Sequence, residues 1–158
     1  MGDTVYVYGQ DNDYGEFSNF YRVGFVHQGA RYKSSEQAMM HRKALHFGDK
    51  ATAARILKEE TPLGCKRLGR QVKPYDDAEW ARVRYQIVAG ILADKFGQNP
   101  GLRDKLLATG DADIAEASPH DPIWGIGLSK ERASRGEPWT GQNMLGKALV
   151  KVRTALRK

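Results

Sequence analysis

The sequence predicts an α+β fold, helix-rich with a few short strands, in one domain spanning residues 1–158. Three observations lead there. Ser34, Asp49, Thr61 and Asp76 each stand where a helix N-cap belongs, just before a segment with helical character. Alternation of the strand kind is confined to brief runs. The 158-residue length and 41% apolar content suit a single sizeable core, with no repeat or low-complexity tract.

In chain order, Thr4 to Tyr8 alternates Val5 and Val7 against Tyr6 and Tyr8, which predicts a strand. Residues 9–16 are rich in Gly, Asp and Asn and predict a loop. Phe17-Ser18-Asn19-Phe20-Tyr21 sets aromatics around a polar pair at the loop exit. Such a group is either a stacking wall with a polar reader or ordinary core packing. Val23–His27 and Ala30–Lys33 around Gly29 predict a hairpin. Helices follow from Ser34, from Asp49 to about Glu60, and from Thr61-Pro62 to near Gly69. The longest starts at Asp76 and runs to about Phe96, with Trp80, Val83, Ile87, Val88 and Ile91 as its stripe. Arg84 lies inside that stripe, where it either snorkels outward or binds an anion. A helix from Asn99-Pro100 to Thr109-Gly110, a strand at Asp113–Ala117 and a last helix from about Gln142 complete the chain. Residues 129–140 read as a polar loop.

The first helix is the most informative stretch. Ser34 caps it and Gln37, three residues on, completes a capping-box pattern. At about 100° per residue, Glu36 shares a face with Met40 and Phe47, and Lys43 with Met39. Gln37, His41, Arg42 and Leu45 fall on the remaining faces and are expected to tolerate water. A carboxylate and an amine on an apolar face are costly unless paired, so the pair is either structural or chemical. A second candidate is Ser118-Pro119-His120-Asp121-Pro122-Ile123-Trp124-Gly125-Ile126-Gly127. Two prolines and two glycines fix the backbone of this loop, which offers an acid, an indole and glycine amides together.

Bulk chemistry excludes several classes. A formal charge of +6 suits phosphate-bearing partners as well as plain solubility, and no long basic run is present. The single Cys65 rules out an internal disulfide, fits a reducing compartment and reads as a buried, inert thiol. No apolar run is long enough to span a membrane, so a cytoplasmic protein without a membrane partner is expected. Four histidines and one cysteine, at no ligand-like spacing, predict no metal. Neither Walker nor dinucleotide glycine motifs occur, so no cofactor is expected.

Several motifs taken together carry a resemblance. They are Gly15-Glu16-Phe17-Ser18-Asn19-Phe20; Ser35-Glu36-Gln37 with Lys43-Ala44; Gly69-Arg70 with Trp80 and Arg84; Asp121 to Gly127; and Asn143-Met144-Leu145-Gly146-Lys147 with Val152-Arg153. In this order they resemble the NADAR domain, also called the YbiA-like or DUF1768 family, over nearly the whole chain. The resemblance implies a helix-rich YbiA-like fold and cleavage of N-glycosidic bonds. Some members of that family hydrolyse phosphoribosylamino-pyrimidine intermediates of riboflavin synthesis. Others remove ADP-ribose from guanine bases in nucleic acid. The family's acidic and tryptophan positions fall on Glu36, Trp80, Asp121 and Trp124, and its first-helix lysine on Lys43. The tract after Gly127 resembles the branch with a Trp-Gly-Ile-Gly-Leu loop and a second Trp-x-Gly, here Trp139-Thr140-Gly141. That departure from the shortest members leaves the leaving group open.

Cleaving a ribosyl C–N bond builds positive charge at C1′ and negative charge on the departing base. Glu36 and Asp121 are expected to divide the acid and base roles. Lys43 has two readings. Desolvated, it supplies a neutral amine that attacks C1′ and forms an imine; charged, it pairs with Glu36 and orients it. Trp80 and Trp124 are the expected stacking surfaces, joined by Phe20, with core packing as the competing explanation for Trp80. Asn19 is expected to read a hydroxyl or amide, and Gly125 to offer a backbone amide. Arg84, Arg70 and the helix start at Asn143 are the expected phosphate contacts. The loop branch and the positive charge favour release of ADP-ribose from ADP-ribosylated guanine in DNA or RNA. Hydrolysis of a riboflavin intermediate is the alternative. A non-catalytic ADP-ribose or nucleotide-binding module is the alternative of another class.

Overall fold

The computed structural model describes residues 3–158. Its elements are β1 (Thr4–Val7), β2 (Phe25–His27), β3 (Ala30–Tyr32), α1 (Ser35–His46), α2 (Lys50–Lys58), α3 (Pro62–Gly69), α4 (Asp77–Gly97), α5 (Pro100–Ala108), β4 (Asp113–Glu116), α6 (Lys130–Ser134) and α7 (Met144–Leu156). They fall into two compact units. One is Asn19–Asn99; the other joins the residues up to Ser18 with Pro100–Lys158.

In the unit Asn19–Asn99, side-chain caps start all four helices. Ser34 Oγ accepts from Gln37 N at 3.1 Å, Asp49 from Thr52 N at 3.0 Å, Thr61 from Gly64 N at 3.0 Å and Asp76 from Ala78 N at 3.0 Å. The capping box at α1 closes one residue early. Gln37 Oε1 accepts from Lys33 N, not from Ser34 N, and Gln37 Nε2 donates to Ile56 O. With both ends of its amide engaged, Gln37 is buried, against the expectation that it faces water. His41 is buried as well, with Nδ1 2.6 Å from the Tyr32 hydroxyl. The first turns of α1 are therefore enclosed on all sides, and Leu45 marks the solvent face. Antiparallel β2 and β3, in register Phe25↔Tyr32, form the hairpin that leads into α1. Cys65 is buried beneath α2, and burial, then Glu59 and Glu36, push its thiol up to about 12, so it is inert.

In the other unit, β1 and β4 pair in parallel, Thr4 with Asp113 through Val7 with Glu116. Helix α7 lies along β4. Gly146 permits this, because a Cβ there would collide with the Ile114 carbonyl oxygen. Residues 129–140, read as a loop from sequence, contain the short helix α6, capped by Ser129 at 3.2 Å from Arg132 N. Only Ala133 of this helix is buried, so no apolar stripe announced it.

Candidate active site

The start of α1 is pinned by Asn19. Its carbonyl accepts Glu36 N at 2.9 Å, and its Oδ1 accepts the Ser35 hydroxyl at 2.8 Å. A first-turn amide that would otherwise lack a partner is thereby satisfied. Asn19 is itself buried, and its two acceptor oxygens fix the start of the helix and Glu36. Glu36 is 5% exposed at the buried end of the helix.

Two turns on, Lys43 is half-buried. Burial moves its amine below the usual lysine range; the charges of Glu36 and Asp77 oppose that shift, and Arg70 adds to it. Its Nζ sits 4.6 Å from the centre of the Tyr75 ring. Tyr75 meets Phe47 edge-on at 5.2 Å, and Phe47 and His46 lie 6.5 and 6.3 Å from Trp80. The Tyr75 hydroxyl donates to Asp77 Oδ1 at 2.8 Å, and burial with this contact pushes its pKa up to about 12. Sequence reasoning missed Tyr75 and Asp77. They sit in a connector and a helix first turn, where neither periodicity nor spacing sets them apart.

The structure also sorts the other candidates of this unit. Trp80, only 5% exposed, backs the aromatic group and is not an open stacking face. Arg84 does not snorkel. It is buried, and its Nε has no hydrogen-bond partner among the described residues. Its positive charge acts on Tyr75, which places it near the same aromatic group. Arg70 is exposed and follows Gly69, where a Cβ would strike the Met40 sulfur. Phe20 is half-buried with Lys66 Nζ 5.8 Å above its ring. Glu36, Lys43, Arg70, Tyr75, Asp77 and Arg84 thus form one charged and aromatic neighbourhood. Asp77→Asn should lower the Lys43 pKa further, because it removes a charge that raises it. Arg70→Gln should raise it. The pH dependence of Lys43 modification by an amine reagent, read by peptide mass spectrometry, gives both signs.

In the other unit, Asp121 Oδ1 accepts from Ile123 N at 3.0 Å and Trp124 N at 2.9 Å. The carboxylate closes its own turn. Gly125 donates its N–H to Asp121 O at 3.2 Å, so the amide expected to serve a substrate is spent within the loop. A Cβ at Gly125 would lie 2.8 Å from Ser118 Cβ and 2.9 Å from Asp121 O, so close approach requires glycine. The start of α7 is no anion site either. Asn143 N, Met144 N and Leu145 N donate to the carbonyls of Gly125, Ile123 and Trp124. The Asn143 side chain accepts from Glu116 N at 3.0 Å and donates to Ile114 O at 2.9 Å, which clamps α7 to β4. Trp124 is half-buried on the same loop.

A family model described as the NADAR domain matches residues 6–157. The chain belongs to the NADAR domain family. Among its NADAR relatives, an N-glycosidase of Acanthamoeba polyphaga mimivirus is 40% identical over 144 residues, covering 87% of this chain and 85% of the relative. N-glycosidase YbiA of Escherichia coli is 31% identical over 157 residues, 99% of this chain and 91% of the relative. Its NMR structure superposes with a TM-score of 0.82 at 28% identity, covering 99% of this chain and 87% of that one. A riboflavin biosynthesis protein of Vibrio vulnificus is 30% identical over 158 residues, 100% of this chain but 40% of that protein. This NADAR chain has the YbiA fold and is a hydrolase acting on N-glycosyl bonds. Among the described residues no helix is long and apolar enough to cross a membrane.

Proposed function

We propose that the protein removes ADP-ribose from ADP-ribosylated guanine bases in nucleic acid, with Lys43 as the nucleophile. The observation that carries this reading is the amine of Lys43, whose charged form burial disfavours, on the helix that also presents Glu36. Neutral Nζ attacks C1′ as the C1′–N bond breaks, and the electron pair leaves with the base. Glu36 acts as the acid–base group, delivering a proton to the base. Loss of a proton from Nζ and opening of the ribose ring give an imine. Water adds to the imine carbon, returning the amine and releasing ADP-ribose. Seven residues of helix rise roughly 10 Å, a gap that suits a ribose between the two groups. Tyr75 offers the base an aromatic face beside the amine, and Arg84 with Arg70 supplies positive charge for the phosphates. Asp121 holds its turn through Oδ1, which two backbone amides engage, and its second oxygen is the one that would share the acid–base work with Glu36.

The relative from Vibrio vulnificus supports a second reading, hydrolysis of a phosphoribosylamino-pyrimidine. Incubation with an ADP-ribosylated guanine oligonucleotide and, separately, with that pyrimidine tests both, the products being separated by chromatography. Free ADP-ribose with the unmodified oligonucleotide is expected. Ribose 5-phosphate from the pyrimidine alone selects the second reading. Binding without products rules out turnover of both.

A further inference from the structure

The β2–β3 hairpin carries a concavity that the reaction above does not use. Its volume is about 380 Å³, and it is lined by Arg22, Val23, Gly24, Arg31, Tyr32 and Lys33. Three of the six are cations, and no carboxylate lines it. Like charges gathered in one hollow repel, so such a group is retained at a cost unless something neutralises it. Lys33 has a partner, Glu60, at 2.7 Å. Both arginines are exposed. The Arg31 guanidinium lies against Gly24, with its Nη1 3.6 Å from where a Cβ there would stand, within ordinary contact distance.

We infer that this hollow is a docking site for the phosphodiester backbone of a nucleic-acid strand. The inference rests on the reading that the modified base is presented in nucleic acid. Charge complementarity selects a polyanion, and the guanidinium forks suit phosphate. The lining offers no aromatic face for stacking, because Tyr32 is 1% exposed and turned into the core. A surface with cations and without a base reader positions the strand and reads no sequence. Its place in the chain fits the task. Lys33 immediately precedes the Ser34 cap, three residues before Glu36, so a strand held here runs beside the start of α1.

The test is the Arg22→Gln, Arg31→Gln double variant, checked for an unchanged melting temperature. Binding of an unmodified single-stranded oligonucleotide is measured by fluorescence anisotropy across a salt series. Turnover of ADP-ribosylated guanosine is measured alongside. The expected result is about tenfold weaker binding at low salt, a salt slope smaller by about 1.4, and unchanged nucleoside turnover. Wild-type affinity and slope in the variant would overturn the inference. So would failure of the wild-type protein to bind the oligonucleotide at low salt, or equal competition by polyglutamate. If the variant loses oligonucleotide binding while neither substrate is turned over by the wild type, the phosphate site stands and the proposed reaction falls.

Discussion

Lys43→Met is expected to lower turnover of the ADP-ribosylated guanine substrate on the order of 10³-fold or more, with the fold intact. Methionine matches the length of the lysine stem and adds no charge to a half-buried position. The loss is therefore chemical, and thermal stability should equal or exceed that of the wild type. Lys43→Arg separates the two roles the amine could play. It keeps a cation beside Tyr75 and Glu36 but has no neutral form to attack carbon. A nucleophilic role predicts that Arg is as damaging as Met; a purely orienting role predicts substantial rescue. The rate should also carry an ascending pH limb that lies below the ordinary lysine value of 10.5, since burial disfavours the protonated amine. The sign follows directly: a depressed pKa places more of the neutral form at any pH below it. Glu36→Gln should bring a comparable loss of turnover, because the Asn19 contact is to the Glu36 backbone and survives the change.

The second large effect falls on stability. Asn143→Ala should cost about 4 kcal/mol. It leaves Glu116 N and Ile114 O without their side-chain partners, at about 1–3 kcal/mol each. It also puts a Cβ residue with less tolerance at φ 52°, roughly 1 kcal/mol more. For a chain of this size the melting temperature should fall by roughly 10 °C. Asn143→Asp keeps the acceptor for Glu116 N and loses the donor to Ile114 O, so an intermediate or similar loss is expected. KM measured well below the melting point should not change in either variant. A raised KM without loss of stability would restore Asn143 to the substrate.

The pattern of what sequence could and could not show follows from the range of the forces involved. Helices were legible because their caps are local: Ser34, Asp49, Thr61 and Asp76 each bond an amide two or three residues away. Glu36 and Lys43 were legible as a pair because helical spacing alone sets them on one face. Gln37 and His41 were misjudged because their burial depends on Ile56 and Tyr32, distant partners that no periodicity reveals. Asn19, Gly125 and Asn143 have structural partners that are equally distant from local pattern: Asn19 bonds the start of α1, Gly125 its own loop and Asn143 strand β4. Polar groups beside a candidate site look alike whether they face a ligand or a neighbouring strand. Tyr75 meets Lys43 from the connector between helices α3 and α4, where no periodicity marks it. Arg84 had two readings until its depth was known, since an arginine on an apolar stripe is compatible with both.

In the proposed reaction Lys43 forms a covalent imine with the ribose. Borohydride reduction during turnover of an ADP-ribosylated guanosine substrate, followed by peptide mass spectrometry, tests it most directly. A stable ADP-ribosyl adduct is expected on the peptide containing Lys43, dependent on substrate and on borohydride and absent in Lys43→Met. No adduct at Lys43, together with wild-type turnover in Lys43→Ala, would contradict it.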